Sequence, residues 1–337
     1  MKIGLIDADL MFRKDAVSRR YGKSAAAIFP NLALMKISSH HKALGDEVEW
    51  YNALEEYDKV YVSKIFSNTP NEDTRINARE IIYGGSGYCI YLGTDGKEYW
   101  QEPSGPFRQG FFQKNLPYDI EHIMPDYSLY PTFKDTAIGF LSRGCLRGCF
   151  FCHVKAKEGR SAYKVADLSE WWNGQKNIFL CDPNILACKD WRDLLQQLID
   201  SKAHVDINQG LDARLLTPEK VKLICQIKIK AIHFAWDDYK QKDKVLKGLQ
   251  CFAENCKNKI STYHAQVYCL VNFDTTHEQD LERVYTLRDM GFEPYIMVYD
   301  KEHADPFYKS LQRWVNMRAI FNTIKTFDEY DKTKAKE

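Results

Sequence analysis

Apolar residues in the first part of the chain alternate between short strand-like runs and one helical pattern. Residues 2–6, 48–51, 59–62 and 81–83 are apolar or β-prone segments of strand length. Residues 30–44 instead carry apolar side chains at helical spacing and end at Gly45, a residue that favours helix termination. Strands alternating with a helix indicate an open parallel sheet, so residues 1–87 are predicted to form a small flavodoxin-like domain.

The second half repeats strand and helix more regularly. The predicted strands are residues 136–141, 177–181, 204–208, 231–236, 265–271 and 294–298. The predicted helices are residues 166–172, 189–201, 218–226, 243–256 and 278–290, with Thr217-Pro218 and Thr276 as suitable starts. This α/β pattern predicts a partial (β/α)6 TIM-type barrel over residues 135–325, with chemistry at the carboxyl ends of the strands.

Two segments fall outside this pattern. Residues 88–134 are rich in glycine, proline and aromatic residues, which predicts an irregular linker with at most one hairpin. A last helix over residues 314–327 is predicted to close the barrel. Residues 326–337 form a charge run that is predicted to be a solvated, frayed tail.

Three cysteines, Cys145, Cys149 and Cys152, lie within eight residues after the first strand of the second half. Thiolates are soft ligands, and three on one loop can hold three corners of an iron–sulfur cube. One iron would then stay open to a substrate or cofactor. Gly144 and Gly148 give this loop the backbone freedom that folding round a cluster requires.

Two plainer interpretations of this motif are buried thiols without a metal and a zinc knuckle. A zinc knuckle needs a fourth ligand, and His153, the only nearby candidate, directly follows Cys152 and suits a tetrahedral site poorly. The iron–sulfur interpretation is therefore favoured.

The remaining cysteines show no second tight motif. Cys225 and Cys269 lie in apolar settings typical of core positions. Ten cysteines without a secretory leader indicate a reducing compartment, with metal-bound or reduced thiols instead of disulfides. The expected location is the cytoplasm.

With Phe151 before the last cysteine, the motif C-x3-C-x-aromatic-C resembles that of radical S-adenosylmethionine (SAM) enzymes. The resemblance implies a 4Fe–4S cluster on Cys145, Cys149 and Cys152, with SAM on the fourth iron and Phe151 covering its adenine. It further implies reductive cleavage of SAM to a 5′-deoxyadenosyl radical that abstracts hydrogen from a substrate. An electron donor such as flavodoxin or ferredoxin would be the protein partner.

The same resemblance directs attention to the polar residues at the other strand ends. Residues 181–184 lie where relatives often contact the SAM amino group, which makes Asp182 a candidate, although the glycine-rich G-G-E version of that motif is absent. Asn208 and Gln209 end the third strand and are candidate SAM contacts. Arg214 is a candidate partner for the SAM carboxylate, because its fork geometry matches a carboxylate.

The N-terminal part resembles cobalamin-binding radical SAM proteins in residues 30–35 and 45–48. It lacks their D-x-H-x-x-G motif after Asp7, and His40 and His41 do not have that context. The expectation is therefore a scaffold domain without a cobalamin histidine. Cobalamin-assisted methyl transfer and a non-catalytic iron–sulfur or zinc protein remain the alternatives.

Composition adds few constraints. The 337 residues carry a net charge of +1 and 45% hydrophobic residues, typical of a globular protein, and no apolar run reaches transmembrane length. The chain offers no global basic field, so nucleic acid is not indicated, and no membrane partner is expected. The substrate is not identified by the sequence.

Overall fold

Within the described residues, the strands form two six-stranded sheets and two two-stranded ribbons. The computed structural model describes residues 1–10, 29–71, 75–94, 97–256 and 265–334, with side chains described up to residue 330. The chain divides into two units. The first contains Met1–Ile138, Phe150–Lys157 and Ser169–Gln175, and the second contains Gly139–Cys149, Glu158–Leu168 and Lys176–Glu337.

The first unit is built on a sheet of order β2-β1-β3-β4-β8-β7, in which β1 to β4 pair in parallel. Its strands are β1 Lys2–Asp7, β2 Glu47–Trp50, β3 Tyr57–Ser63, β4 Ala78–Gly84, β5 Ile90–Leu92, β6 Glu98–Trp100, β7 Pro106–Phe107 and β8 Gly110–Phe112. Its helices are α1 Leu32–Ala43, α2 Tyr118–Glu121 and α3 Val154–Lys157. Asn31 begins α1, because its side chain accepts a hydrogen bond from Leu34 N. Leu34 of this helix packs in the core with Ile3 and Leu5 of β1.

The predicted linker is more ordered than expected. It contains two hairpins, β5–β6 and β7–β8, where at most one was predicted. Strand β8 pairs in parallel with β4, so this segment extends the first sheet. Gly110 permits that approach, since a Cβ there would lie 1.9 Å from the carbonyl oxygen of Ile81. A close backbone approach of this kind is a tertiary contact that local composition does not reveal.

The second sheet has the order β9-β12-β13-β14-β15-β16, and β12 to β16 pair in parallel. Its strands are β9 Thr136–Gly139, β12 Asn177–Leu180, β13 His204–Leu211, β14 Ile229–Ala235, β15 Ala265–Val271 and β16 Glu293–Val298, with a small ribbon of β10 Ser142–Arg143 and β11 Tyr163–Lys164. The helices are α4 Trp191–Ser201, α5 Pro218–Ile224, α6 Lys242–Cys256, α7 His277–Asp289, α8 Pro306–Asn316, α9 Arg318–Thr323 and α10 Phe327–Lys334. The six strands of the sheet, and helices α4 to α7, match the sequence prediction within a few residues, whereas the ribbon of β10 and β11 was not predicted.

The helix starts follow local rules. Thr217 Oγ1 accepts a hydrogen bond from Lys220 N ahead of α5, which has Pro218 in its first turn. Thr276 and Gln279 form a reciprocal capping box at the start of α7. The mixed α/β architecture with parallel sheets is thus confirmed.

Three expectations about the second half are wrong. Residues 166–172 form no long helix, because only the short 3₁₀ turn Leu168–Glu170 occurs there and Leu168 N donates to the Gln197 side chain. The expected single helix over residues 314–327 is instead divided between α8 and α9. The tail is not a frayed charge run, since α10 buries Phe327 and Tyr330; residues 335–337 lie outside the described residues.

The expectation of no disulfides is also wrong. Cys225 and Cys256 form a disulfide with a Cα–Cα distance of 5.9 Å. Cys225 is the residue that ends α5, and Cys256 ends α6. Packing of these two helices brings together buried cysteines that are 31 residues apart in the chain, a proximity that spacing does not show.

A buried arginine ties α7 to the second sheet. Arg283 is fully buried, donates to the carbonyl oxygens of Trp236 and Leu270 at 2.6 and 2.7 Å, and pairs with buried Asp280. The guanidinium of Arg283 thereby satisfies carbonyl groups at the ends of strands β14 and β15. Across the described residues, no helix is both long and apolar enough to span a bilayer.

Candidate functional site

The chain between β9 and the cysteine loop is held by Asp182, which follows β12. Its Oδ1 accepts a hydrogen bond from Leu141 N at 2.8 Å, and its Oδ2 accepts bonds from Ser142 N and Ser142 Oγ at 2.6 and 2.5 Å. Burial raises the pKa of Asp182 to about 7, against the hydrogen bonds that lower it. The structure therefore gives this predicted SAM contact an anchoring role at the start of the loop.

Glu158 holds the next residues of the loop. Its Oε2 accepts a hydrogen bond from Gly144 N at 2.9 Å, and its Oε1 accepts one from Arg143 Nη1 at 3.2 Å. Gly144 has φ +78°, and a Cβ there would lie 2.1 Å from the carbonyl oxygen of Ser161. Gly148 has no such restriction. Only the first of the two glycines is required by the backbone.

The sulfur of Cys145 receives two N–H groups. Arg147 N lies 3.4 Å from Sγ, and Asn184 Nδ2 lies 3.5 Å from it. Such donors stabilise a thiolate and are a common way of tuning cluster ligands. Asn184 is 2% exposed, and within the described structure its Oδ1 has no hydrogen-bond partner. Beside the first cysteine of the motif, the described structure therefore has a buried amide oxygen to which no donor is hydrogen-bonded.

Two arginines converge on Asp212, just after β13. Arg147 Nε donates to its Oδ2 at 2.6 Å, and Arg214 Nε donates to its Oδ1 at 2.7 Å. Burial lowers the pKa of Arg214, but the hydrogen bond to Asp212 and the negative charge of that carboxylate raise it above its ordinary value. The predicted carboxylate partner of SAM thus already has an internal carboxylate, and Arg147 of the cysteine loop shares it.

The other two predicted contacts lie near the end of β13. The backbone oxygen of Asn208 accepts a hydrogen bond from Tyr268 Oη at 3.1 Å, and Gln209 is exposed. Strand β13 continues to Leu211 through a register shift, with Gly210 at φ +91°. The strand therefore does not end at Asn208 as predicted, and the irregular pairing presents Gln209 to solvent.

Cys152 and Phe151 belong to the segment Phe150–Lys157 of the first unit, whereas Cys145 and Cys149 belong to the second. Both residues are half-buried. In this segment, the ring of His153 packs against Trp100 and its Nε2 lies 3.4 Å from Glu98 Oε2. Within the described ranges, the structure brings no three His, Cys, Asp or Glu side chains together as a metal-binding group.

The cysteines of the second unit outside the motif are of three kinds: buried thiols, a half-buried thiol and a disulfide-bonded pair. Cys181, Cys188 and Cys269 are buried, and burial raises the pKa of each thiol, that of Cys269 to about 12, so none is suited to act as a thiolate. Cys251 is half-buried on α6. Cys269 is a core residue as expected, and Cys225 is buried but disulfide-bonded.

Sequence reasoning did not single out several residues that shape this site. Asn184 is one of the polar residues in 181–184, and Asp212 lies between Gln209 and Arg214, but nothing in the sequence indicated which side chain would contact Cys145 or Arg147. Glu158 and Ser142 carried no signal, because their roles depend on contacts formed only after folding.

No protein-family model matches this chain, and a search of curated proteins found no match. These comparisons therefore assign the chain to no family.

Proposed function

We propose that this protein is a radical SAM enzyme, with Cys145, Cys149 and Cys152 as ligands of a 4Fe–4S cluster. The second sheet would then be the partial (β/α)6 barrel of that superfamily, and the first a flavodoxin-like scaffold. The spacing of the three cysteines supports this assignment, and so does the consecutive order of the parallel strands, because it gathers their carboxyl ends along one edge.

The observation that carries the proposal is the environment of Cys145. Its sulfur accepts hydrogen bonds from Arg147 N and Asn184 Nδ2, while the buried Oδ1 of Asn184 has no partner in the described structure. A buried acceptor beside a cluster ligand suits a cationic N–H donor, such as the amino group of SAM. The donor set of three cysteines on one short loop fits a cluster with one open iron.

When bound, such a cluster supplies the single electron with which SAM is cleaved to methionine and a 5′-deoxyadenosyl radical. The chain's own residues have narrower tasks. Asp182 and Glu158 hold the loop, and the Asp212 carboxylate positions Arg147 and Arg214. Asn184 Oδ1 would accept a hydrogen bond from the amino group of bound SAM. A flavodoxin or ferredoxin is the proposed electron donor that reduces the cluster.

The proposal includes no histidine-ligated cobalamin in the first unit. His41 Nδ1 lies 2.7 Å from Asp46 Oδ2, and its Nε2 lies 2.9 Å from Tyr61 Oη. His40 Nδ1 lies 3.6 Å from Asp119 Oδ2. Since both ring nitrogens of His41 have internal partners, metal ligation by His41 would require breaking one of these contacts.

The test is anaerobic purification and reconstitution, followed by iron and sulfide analysis and electron paramagnetic resonance. Formation of 5′-deoxyadenosine is then measured with added SAM and a chemical reductant such as dithionite. We expect about four irons per chain and SAM cleavage in the unaltered protein. Cys145→Ala, Cys149→Ala and Cys152→Ala should each lose both. Cys251→Ala is the matched control and should keep them. About one zinc per chain without a cluster signal would contradict the proposal.

A further inference from the structure

A row of polar and aromatic side chains crosses one face of the second sheet. It consists of Asp206 on β13, His233 on β14, Tyr268 on β15 and Tyr295 on β16, which we call the acidic–aromatic row. The adjacent residues along each strand point the other way and are buried, among them Ile207, Phe234, Cys269 and Ile296. The row therefore lies on the face opposite this hydrophobic packing.

The members of the row contact one another in sequence across the strands. His233 Nδ1 lies 4.0 Å from Asp206 Oδ1, and the His233 ring stacks on Tyr268 with centroids 4.9 Å apart and planes 13° apart. Tyr268 meets Tyr295 edge-to-face at 5.7 Å. The row is thus a continuous surface that combines one carboxylate with three rings.

His233 and Tyr268 each donate a side-chain hydrogen bond to a main-chain carbonyl oxygen. His233 Nδ1 donates to the carbonyl oxygen of Ile207 at 2.9 Å, and Tyr268 Oη donates to that of Asn208 at 3.1 Å. Each carbonyl can only accept, so Nδ1 of His233 carries its proton. These bonds fix both rings, and neither bond uses the carboxylate of Asp206.

Asp206 is the member whose hydrogen-bonding capacity is left unused. Its Oδ1 is buried, and in the described part of the chain it has no hydrogen-bond partner. Burial raises the pKa of Asp206, while His233 and Lys230 oppose that rise. A buried carboxylate oxygen without a donor is costly, and an apolar residue in the middle of a strand would avoid the cost. Its presence favours a donor supplied by a ligand.

The chemistry of the row selects the kind of donor. A carboxylate gains most from a charged N–H group, and the face of an aromatic ring also attracts cations. Tyr295 is 38% exposed, so its ring is accessible to a ligand. An anion would be repelled by the carboxylate of Asp206, and a neutral hydroxyl would form a weaker hydrogen bond with it than a charged N–H group.

We propose that the acidic–aromatic row binds an ammonium or guanidinium group of the substrate, with Asp206 accepting its hydrogen bond and Tyr295 covering it. The term substrate rests on the proposed function, but the binding itself does not depend on it. Asp206 precedes Asn208 by two positions on β13 and lies on the same side of that strand, so the cation would be held next to Asn208, a SAM contact predicted from the sequence.

The probes are benzylamine, benzyl alcohol and benzoate, which share one ring and differ in charge. Each is titrated calorimetrically into the full-length, reconstituted protein. We expect benzylamine to bind about tenfold or more tightly than the other two. Asp206→Asn should weaken benzylamine about tenfold or more, whereas Asp200→Asn, on the exposed side of α4, should leave it unchanged.

Tyr295→Leu keeps the inference testable if Asp206→Asn fails to fold. The altered side chain is partly exposed, so the fold should survive, and benzylamine should weaken about threefold or more through loss of the ring. Circular dichroism confirms the fold of each variant. Equal binding of the three probes, no benzylamine binding, or unchanged affinity in both folded variants would overturn the inference.

The two measurements, 5′-deoxyadenosine formation and benzylamine binding, distinguish failure of the proposed function from failure of the cation site. If no 5′-deoxyadenosine forms but benzylamine binds selectively, the row remains a cation site and only its link to radical chemistry is lost. If SAM cleavage proceeds but binding shows no selectivity, the cation site is wrong and the proposed function stands.

Discussion

The buried polar side chains at the carboxyl ends of the two sheets are satisfied to different extents. In the first unit, Asp7 accepts hydrogen bonds from Leu10 N and Tyr130 Oη, and Asp9 accepts bonds from backbone and hydroxyl groups of residues 65–69. In the second, Asp182 is equally well engaged, but beside it the Oδ1 of Asn184 has no partner in the described structure. Satisfied groups indicate a scaffold, whereas an open buried acceptor indicates a place for a ligand.

The largest effect should come from Asp182→Ala. Three donors at Leu141 and Ser142 would lose their acceptor, which should cost about 2–5 kcal/mol of stability and release the cysteine loop, with loss of iron. Iron content and chemical denaturation measure the two effects.

Asp9→Ala is the matched control in the first unit. It also removes the acceptor of three donors, at Ile65, Phe66 and Thr69, so a similar loss of stability is expected with iron retained. Equal iron loss in both variants would show that the two strand ends do not differ in the way described.

Asn184→Ala should have an intermediate effect that is specific to SAM. Loss of one buried contact should lower SAM affinity ~5- to 150-fold, and iron should remain, because the side chain is not a ligand. Equilibrium binding of SAM and iron analysis are the measurements, and Asn322→Ala on the exposed side of α9 is the control. Unchanged SAM affinity would mean that the open oxygen does not contact SAM, and iron loss would mean that Asn184 supports the loop.

The smallest effect concerns Asp7 and pH. Burial raises the pKa of Asp7 from 3.8 to about 6 in the folded state, so the folded chain binds this proton more tightly than the unfolded chain. The resulting stabilisation is fully present below pH 3.8 and is lost as the pH rises through about 6, by at most ~3 kcal/mol.

Asp7→Asn should remove this component while Tyr130 keeps an acceptor. The measurement is thermal unfolding of both proteins between pH 4 and 7.5, with Asp200→Asn as the exposed control. The unaltered protein should lose stability relative to Asp7→Asn as the pH rises, and parallel curves would count against a raised pKa.

The two units also differ in how well local pattern predicted them. In the second, the capping residues Thr217 and Thr276 and the apolar runs predicted strands β12 to β16 and helices α4 to α7, because each of these elements rests on short-range preferences. Residues 88–134 were harder. Strand β8 of their second hairpin pairs with the distant strand β4, a contact that glycine and aromatic content does not encode.

The sequence by itself determined the alternating α/β pattern and the C-x3-C-x2-C motif, since both are written in local spacing. The tertiary structure decided what each polar residue does. Asp182 anchors a loop, Arg214 shares Asp212 with Arg147, and Cys225 bonds to Cys256, because folding brings together residues that lie far apart in the chain. It also decided which buried atoms have no partner, because that depends on every neighbour in the packed interior and not on residue type alone.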